Sequence, residues 1–218
     1  MFKQMFFGKD YLLDKILGEI QKMLKETEKM FSFAIKVLLE RHPKDTNIYL
    51  QDQEVNRALI DVRKKLFEHL TLNPQRDTTA SLVLATVVVD VERIGDYTKN
   101  IIESAEVYPE KIEGDEWVEQ IKQLEKVILP LFARTREAFK QGDAEMAREV
   151  LETHYRVAKQ CDKLIVDLIK QDKLLARKAV LYVLMARYFK RVSAHLKNVA
   201  SSVVNPFDRV GFRPEGKN

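Results

Sequence analysis

Leu13, Leu17, Ile20, Leu24, Thr27, Phe31, Ala34 and Leu38 recur at alternating steps of four and three. A helix turning every ~3.6 residues lines such positions up as one unbroken stripe about seven turns long. A stripe of that length must be covered by neighbours of similar length packed at a shallow angle. Seven Gly and six Pro in 218 residues supply few turns, which argues against an all-β fold and for long helices. The expectation is an all-α protein.

The same periodicity predicts six long helices. "RHPKDTN" (41–47) breaks the first with a Pro, and the second carries Val55, Leu59, Val62, Leu66 and Leu70 before stopping at "LNPQRD". Asp77 or Thr78 is placed to cap the third, which ends near "VYPEKIEGDE". The fourth starts near Asp115 with Ile121, Leu124, Ile128 and Leu131 on one face, and Pro130 is expected to kink it. Gly142 ends that helix and Asp143 caps the next. Ala147, Val150, His154, Val157, Cys161, Leu164 and Leu168 then form a heptad seam. The sixth helix runs from about Lys173 to Asn205, where Pro206 stops it.

Three helices, a Pro/Gly/acidic linker at 108–115 and three more helices suggest a duplicated chain. The expected units are a first three-helix bundle over 1–109 and a second over 110–218 that includes the C-terminal tail. A shift of about 98 residues overlays "ERIGDYTKNI" (92–101) on "KRVSAHLKNV" (190–199), pairing Arg93 with Arg191, Lys99 with Lys197 and Asn100 with Asn198.

Composition narrows the function. With 45% apolar and 32% charged residues the chain can bury a core and is not of disordered type. Cys161 is the sole cysteine, so no intrachain disulfide forms and a reducing compartment is expected. The opening "MFKQMFFGKDYLLDK" lacks the layout of a secretory signal, and no apolar run approaches the ~20 residues of a membrane span. The expectation is a soluble, cytoplasmic protein. A net charge of +4, without a one-sided basic stripe, points away from nucleic acid. No nucleophile–base set, phosphate-cradling loop or dinucleotide fingerprint occurs, so catalysis has no candidate residues.

The carboxylates Glu92 and Asp96 stand four apart in "VERIGDYTKNIIE" (91–103), one turn apart on one helix face. Here "DVERIGDYTKNI" (90–101) resembles the signature helix of PhoU-type phosphate-regulatory proteins, which typically reads close to "DLERIGDHAKNI". The resemblance extends upstream through "LNPQRDTTASLVLA" (72–85). It implies tandem three-helix bundles and a non-enzymatic role in phosphate uptake or signalling. The implied partners are a phosphate-transporter subunit or an associated sensor kinase, with membrane association only through that partner, and a homodimer is the default assembly.

The resemblance also implies a metal ion, of divalent or iron type, held by acidic pairs on the second and third helix of a repeat. Carried over residue by residue, the third-helix pair is Glu92 and Asp96, and the second-helix pair is Asp52 and Asn56, with Glu54 as a substitute for the amide. In the second repeat the corresponding positions are Lys190 and Ala194, with His154 and Ala158 on the second helix. Metal chemistry is therefore expected in the first repeat alone.

Plainer readings stand beside these. Glu92 and Asp96 can form a solvated face neutralised by Arg93 and Lys99. Gly95 can serve the close approach of a neighbouring helix, His154 and Cys161 can be core residues, and His195 a surface residue in a side-chain network. The aromatic ends, "MFKQMFF" and "NPFDRVGFRPEGKN", can fold back on the bundles or form a docking surface. Two other classes compete with regulation: a scaffold without a phosphate role, and a di-iron enzyme, for which Glu152 and His154 have the wrong spacing.

Overall fold

The structure, a computed structural model, describes residues 11–41, 46–72, 77–108 and 110–214. Six helices follow one another: α1 (Tyr11–Glu40), α2 (Ile48–Leu72), α3 (Thr78–Val107), α4 (Glu116–Gln141), α5 (Ala144–Ile169) and α6 (Ala176–Val204). A short 3-10 turn, Phe207–Arg209, follows α6, and there is no strand among the described residues. The fold is all-α with two three-helix repeats, as the periodicity predicts. The stripe of α1 is buried from Leu13 to Leu38, although Leu17 packs at its margin and Ile16 takes the central place. The apolar N-terminal residues Phe2, Met5, Phe6 and Phe7 lie outside the described residues.

Helix ends show local chemistry at work. Gly142 closes α4 in the left-handed region (φ 60), and the Asp143 side chain caps α5 by accepting from the amides of Glu145 and Met146. Asp115 accepts from the Val118 amide at 3.0 Å. Asp77 behaves otherwise: it precedes α3 at φ 55 and its side chain makes no capping hydrogen bond, lying instead 3.7 Å from His69. α4 runs without a break through Pro130. The sixth helix begins at Ala176, a few residues later than its pattern suggests.

Within each repeat every helix touches the other two, and the repeats meet through α3 against α6 and α1 against α4. The buried apolar side chains form a single cluster that includes residues from all six helices. Phe31 of α1 joins the halves most directly, with its ring centroid 5.5 Å from that of Phe132 on α4 and 5.6 Å from that of Phe189 on α6.

The α3–α6 junction reveals an internal pseudo-twofold. The Tyr97 and His195 rings, mates under the 98-residue shift, stack with centroids 5.7 Å apart. Tyr97 also approaches Tyr188, at 6.1 Å, while His195 Nδ1 lies 2.7 Å from Asp90 Oδ1. Those two contacts are mates of each other, because Tyr188 is the shifted counterpart of Asp90. A residue meeting its own mate, flanked by reciprocal pairs, is the arrangement of an isologous interface built within one chain.

Candidate acidic site on the first repeat

α2 and α3 pack side by side, and of the four residues that the family resemblance selects they bring Asp52 and Asp96 onto one ammonium, that of Lys99. Asp52 is buried at 6% exposure. Its Oδ2 accepts from Lys99 Nζ at 2.8 Å and, more distantly, from Asn56 Nδ2 at 3.5 Å. Asp96 lies on the other side of the same ammonium, 3.4 Å from it, and accepts from Arg93 Nη1 at 2.8 Å. Glu92 lies 3.7 Å from Arg93 Nε. Arg93 and Lys99 thus neutralise the carboxylates, but Lys99 also spans to α2, a link that spacing along α3 alone does not reveal.

Two pKa shifts describe the charge balance. Burial pushes the Glu92 carboxyl above its usual range; nearby Asp96, and less so Asp52, push it the same way against the pull of Arg93. For Lys99, burial works against the ammonium, yet the hydrogen bond and charge of Asp52, reinforced by Asp96, outweigh it and raise the pKa.

Gly95 faces the site. A Cβ there would lie 3.7 Å from Asp52 Oδ1 and 3.8 Å from Met30 and Val55, which is ordinary contact. The close-approach reading of this glycine therefore does not hold, since the neighbours leave room for a methyl group. The glycine puts no side chain against Asp52 Oδ1. That oxygen and Asn56 Oδ1 are buried and accept no hydrogen bond.

A metal fits the donor types but not a finished cage. Carboxylate and amide oxygens suit a hard cation, and the two orphaned oxygens of Asp52 and Asn56 are acceptors in search of positive charge. Yet no three Asp, Glu, His or Cys side chains among the described residues converge as a ligand set. The Lys99 ammonium lies between two of these carboxylates, 2.8 Å from Asp52 and 3.4 Å from Asp96.

The second repeat answers the first position by position. Where Gly95 faces Asp52, its mate Ser193 faces His154, with Oγ 3.0 Å from Nδ1. The Ser193 hydroxyl donates to the Lys190 carbonyl, so its lone pair receives the His154 Nδ1–H. Where Lys99 binds Asp52, its mate Lys197 is buried and donates to the Gly211 carbonyl of the C-terminal tail at 2.5 Å. Burial lowers the Lys197 pKa. Lys190, replacing a carboxylate, pairs with Asp162 at 2.6 Å.

The tail does fold back, but through polar groups rather than its aromatic rings. Asn205 Nδ2 donates to the carbonyls of Arg209 and Phe212, Ser201 Oγ accepts from the Gly211 amide, and the Arg213 guanidinium lies 4.2 Å over the Tyr155 ring. Phe212 stays 61% exposed. The junction residue that sequence reading passed over is Asp90, whose Oδ1 accepts from Asn198 Nδ2 at 2.7 Å as well as meeting His195. Its only signal was a carboxylate two residues before Glu92.

A doubled three-helix body with carboxylates from the second and third helices of one repeat meeting at a lysine defines a class of tandem three-helix-repeat proteins. A model of the PhoU domain matches residues 20–105 and again 121–203. The chain belongs to the PhoU family, which is associated with the regulation of phosphate transport. It is 26% identical over 118 residues to the phosphate-specific transport system accessory protein PhoU homolog 1 of Thermotoga maritima. That match covers 53% of this chain and about half, 51%, of the curated relative's length.

Solved structures share the fold. PhoU from Pseudomonas aeruginosa superposes with a TM-score of 0.80 at 18% identity, over 88% of this chain and 95% of that one. The phosphate transport system regulatory protein PhoU from Streptococcus pneumoniae gives 0.70 at 20% identity, over 88% and 91%. No described helix is long and apolar enough to cross a membrane.

Proposed function

We propose that this chain regulates phosphate transport by presenting fixed helix faces to a transporter subunit or to an associated sensor kinase, without catalysing a reaction. The observation that carries this reading is the match of both repeats to the PhoU domain, together with the acidic motif Glu92–Asp96 folded against Asp52 in the first. The protein acts in the cytoplasm as a homodimer, and its two repeats divide at 109/110. It is carried to the membrane by its partner.

In this reading Asp52, Asn56, Glu92 and Asp96 hold a divalent or iron-type ion. The ion supplies positive charge that ties α2 to α3 and stiffens the face offered to the partner. The second repeat, with His154, Lys190 and Ala194 at those places, serves protein contact instead.

The test is affinity purification of the tagged full chain from cells grown with and without phosphate, paired with phosphate-uptake rates in a deletion strain. Enrichment of phosphate-transporter or kinase subunits and altered uptake are the expected results. Unchanged uptake with no such subunit enriched rejects the proposal and favours the scaffold reading.

A further inference from the structure

Lys99 stands on α3 and reaches across to α2, with its ammonium 2.8 Å from Asp52 Oδ2 and 3.4 Å from Asp96 Oδ1. One carboxylate comes from each of the two helices proposed above to share an ion. Asp52 Oδ1 and Asn56 Oδ1 are buried acceptors without a donor, and Gly95 puts no side chain against Asp52 Oδ1. A lysine ammonium is a compact charge on a flexible four-carbon stem. The Lys99 side chain is 22% exposed, so its path to solvent is open.

The geometry points to Lys99 as a built-in competitor: its ammonium and a divalent cation are alternative occupants of the Asp52–Asp96 pair, and a cation enters only when Lys99 swings out. This rests on the reading of the notch as a cation site and adds to it a gate made by the chain itself. It explains why the donor set is right in kind but not converged in place. Two cations cannot share two carboxylates at this distance without strong repulsion. It also gives the notch two charge states, Lys99 inside or Lys99 displaced to the surface, which a partner touching α3 can distinguish.

The test is calorimetric titration of the full chain with Mn2+, an oxygen-preferring divalent ion, comparing wild type, Lys99→Met, Lys99→Gln and Lys99→Arg. Circular dichroism confirms the fold of each, and Lys99→Gln stands in if the Met variant misfolds. Removing the charge is expected to tighten Mn2+ binding by about tenfold or more, while Lys99→Arg stays close to wild type. Adding Asp52→Asn to Lys99→Met should erase the gain. Equal affinity in wild type and the uncharged variants overturns the competition but leaves the cation site standing. A gain that survives Asp52→Asn overturns it also, by placing the ion elsewhere. If no variant binds Mn2+, even Lys99→Met with Asn56→Asp, both the gate and the cation reading fall.

Discussion

His154 shows how one side chain can record the divergence of the two repeats. It occupies the place of Asp52 but is 7% exposed, and burial, with Lys197 and Lys190 nearby, lowers its pKa to about 4. The imidazole is thus held neutral in the fold, with Ser193 as its partner. An unfolded chain protonates His154 below its ordinary value of about 6.5, whereas the fold resists until about 4. Stability is therefore full above pH ~6.5 and declines as pH falls toward 4, by about 3 kcal/mol from this residue. The His154→Gln variant, which cannot ionise, should show a shallower loss over that window in urea titrations at successive pH values. Parallel curves for the two proteins would remove His154 from the account.

At the scale of elements, capping ties helices to one another. Asp115 caps α4 through Val118 and also accepts from Tyr182 Oη at 2.8 Å and Lys178 Nζ at 3.1 Å, both on α6. Partial burial opposes its charge, but these bonds outweigh that and lower its pKa, so it is a carboxylate at neutral pH. Asp115→Ala loses a cap worth ~1 kcal/mol and strands the Tyr182 hydroxyl at a further ~1–3 kcal/mol. The expected total is about 2–4 kcal/mol, measured by denaturant unfolding, with Asp115→Asn losing less.

The start of α4 near Asp115 was legible in sequence, because an Asp before an apolar periodic run is local information. So were the heptad seam of α5 and the Gly142 stop. The bonds to α6 were not, since Tyr182 lies 67 residues away and nothing in its own surroundings marks the partner. The acidic notch divides the same way: Glu92 and Asp96 announce themselves by spacing, whereas the reach of Lys99 to Asp52 depends on how α2 and α3 are brought together. Asp77 failed as a cap because the position is left-handed, which turns its carboxylate toward His69.

The whole molecule is a duplication whose two repeats share one apolar core. The charge has diverged, with 16 basic against 17 acidic residues in 1–109 and 21 against 16 in 110–218. The apolar core has instead fused, and Phe31 is its hinge point, 0% exposed in the first repeat and in contact with two rings of the second. Phe31→Ala leaves a hole between three helices, and a buried Phe→Ala change costs about 3–5 kcal/mol. The only tryptophan, Trp117, is buried on α4 in the other half, so its fluorescence reports the second repeat. A shared core predicts that Phe31→Ala lowers the unfolding midpoint seen by Trp117 as much as the midpoint seen by circular dichroism of the whole chain. Two separately folding bundles would give the opposite: helicity lost early, and a Trp117 transition that stays where wild type has it.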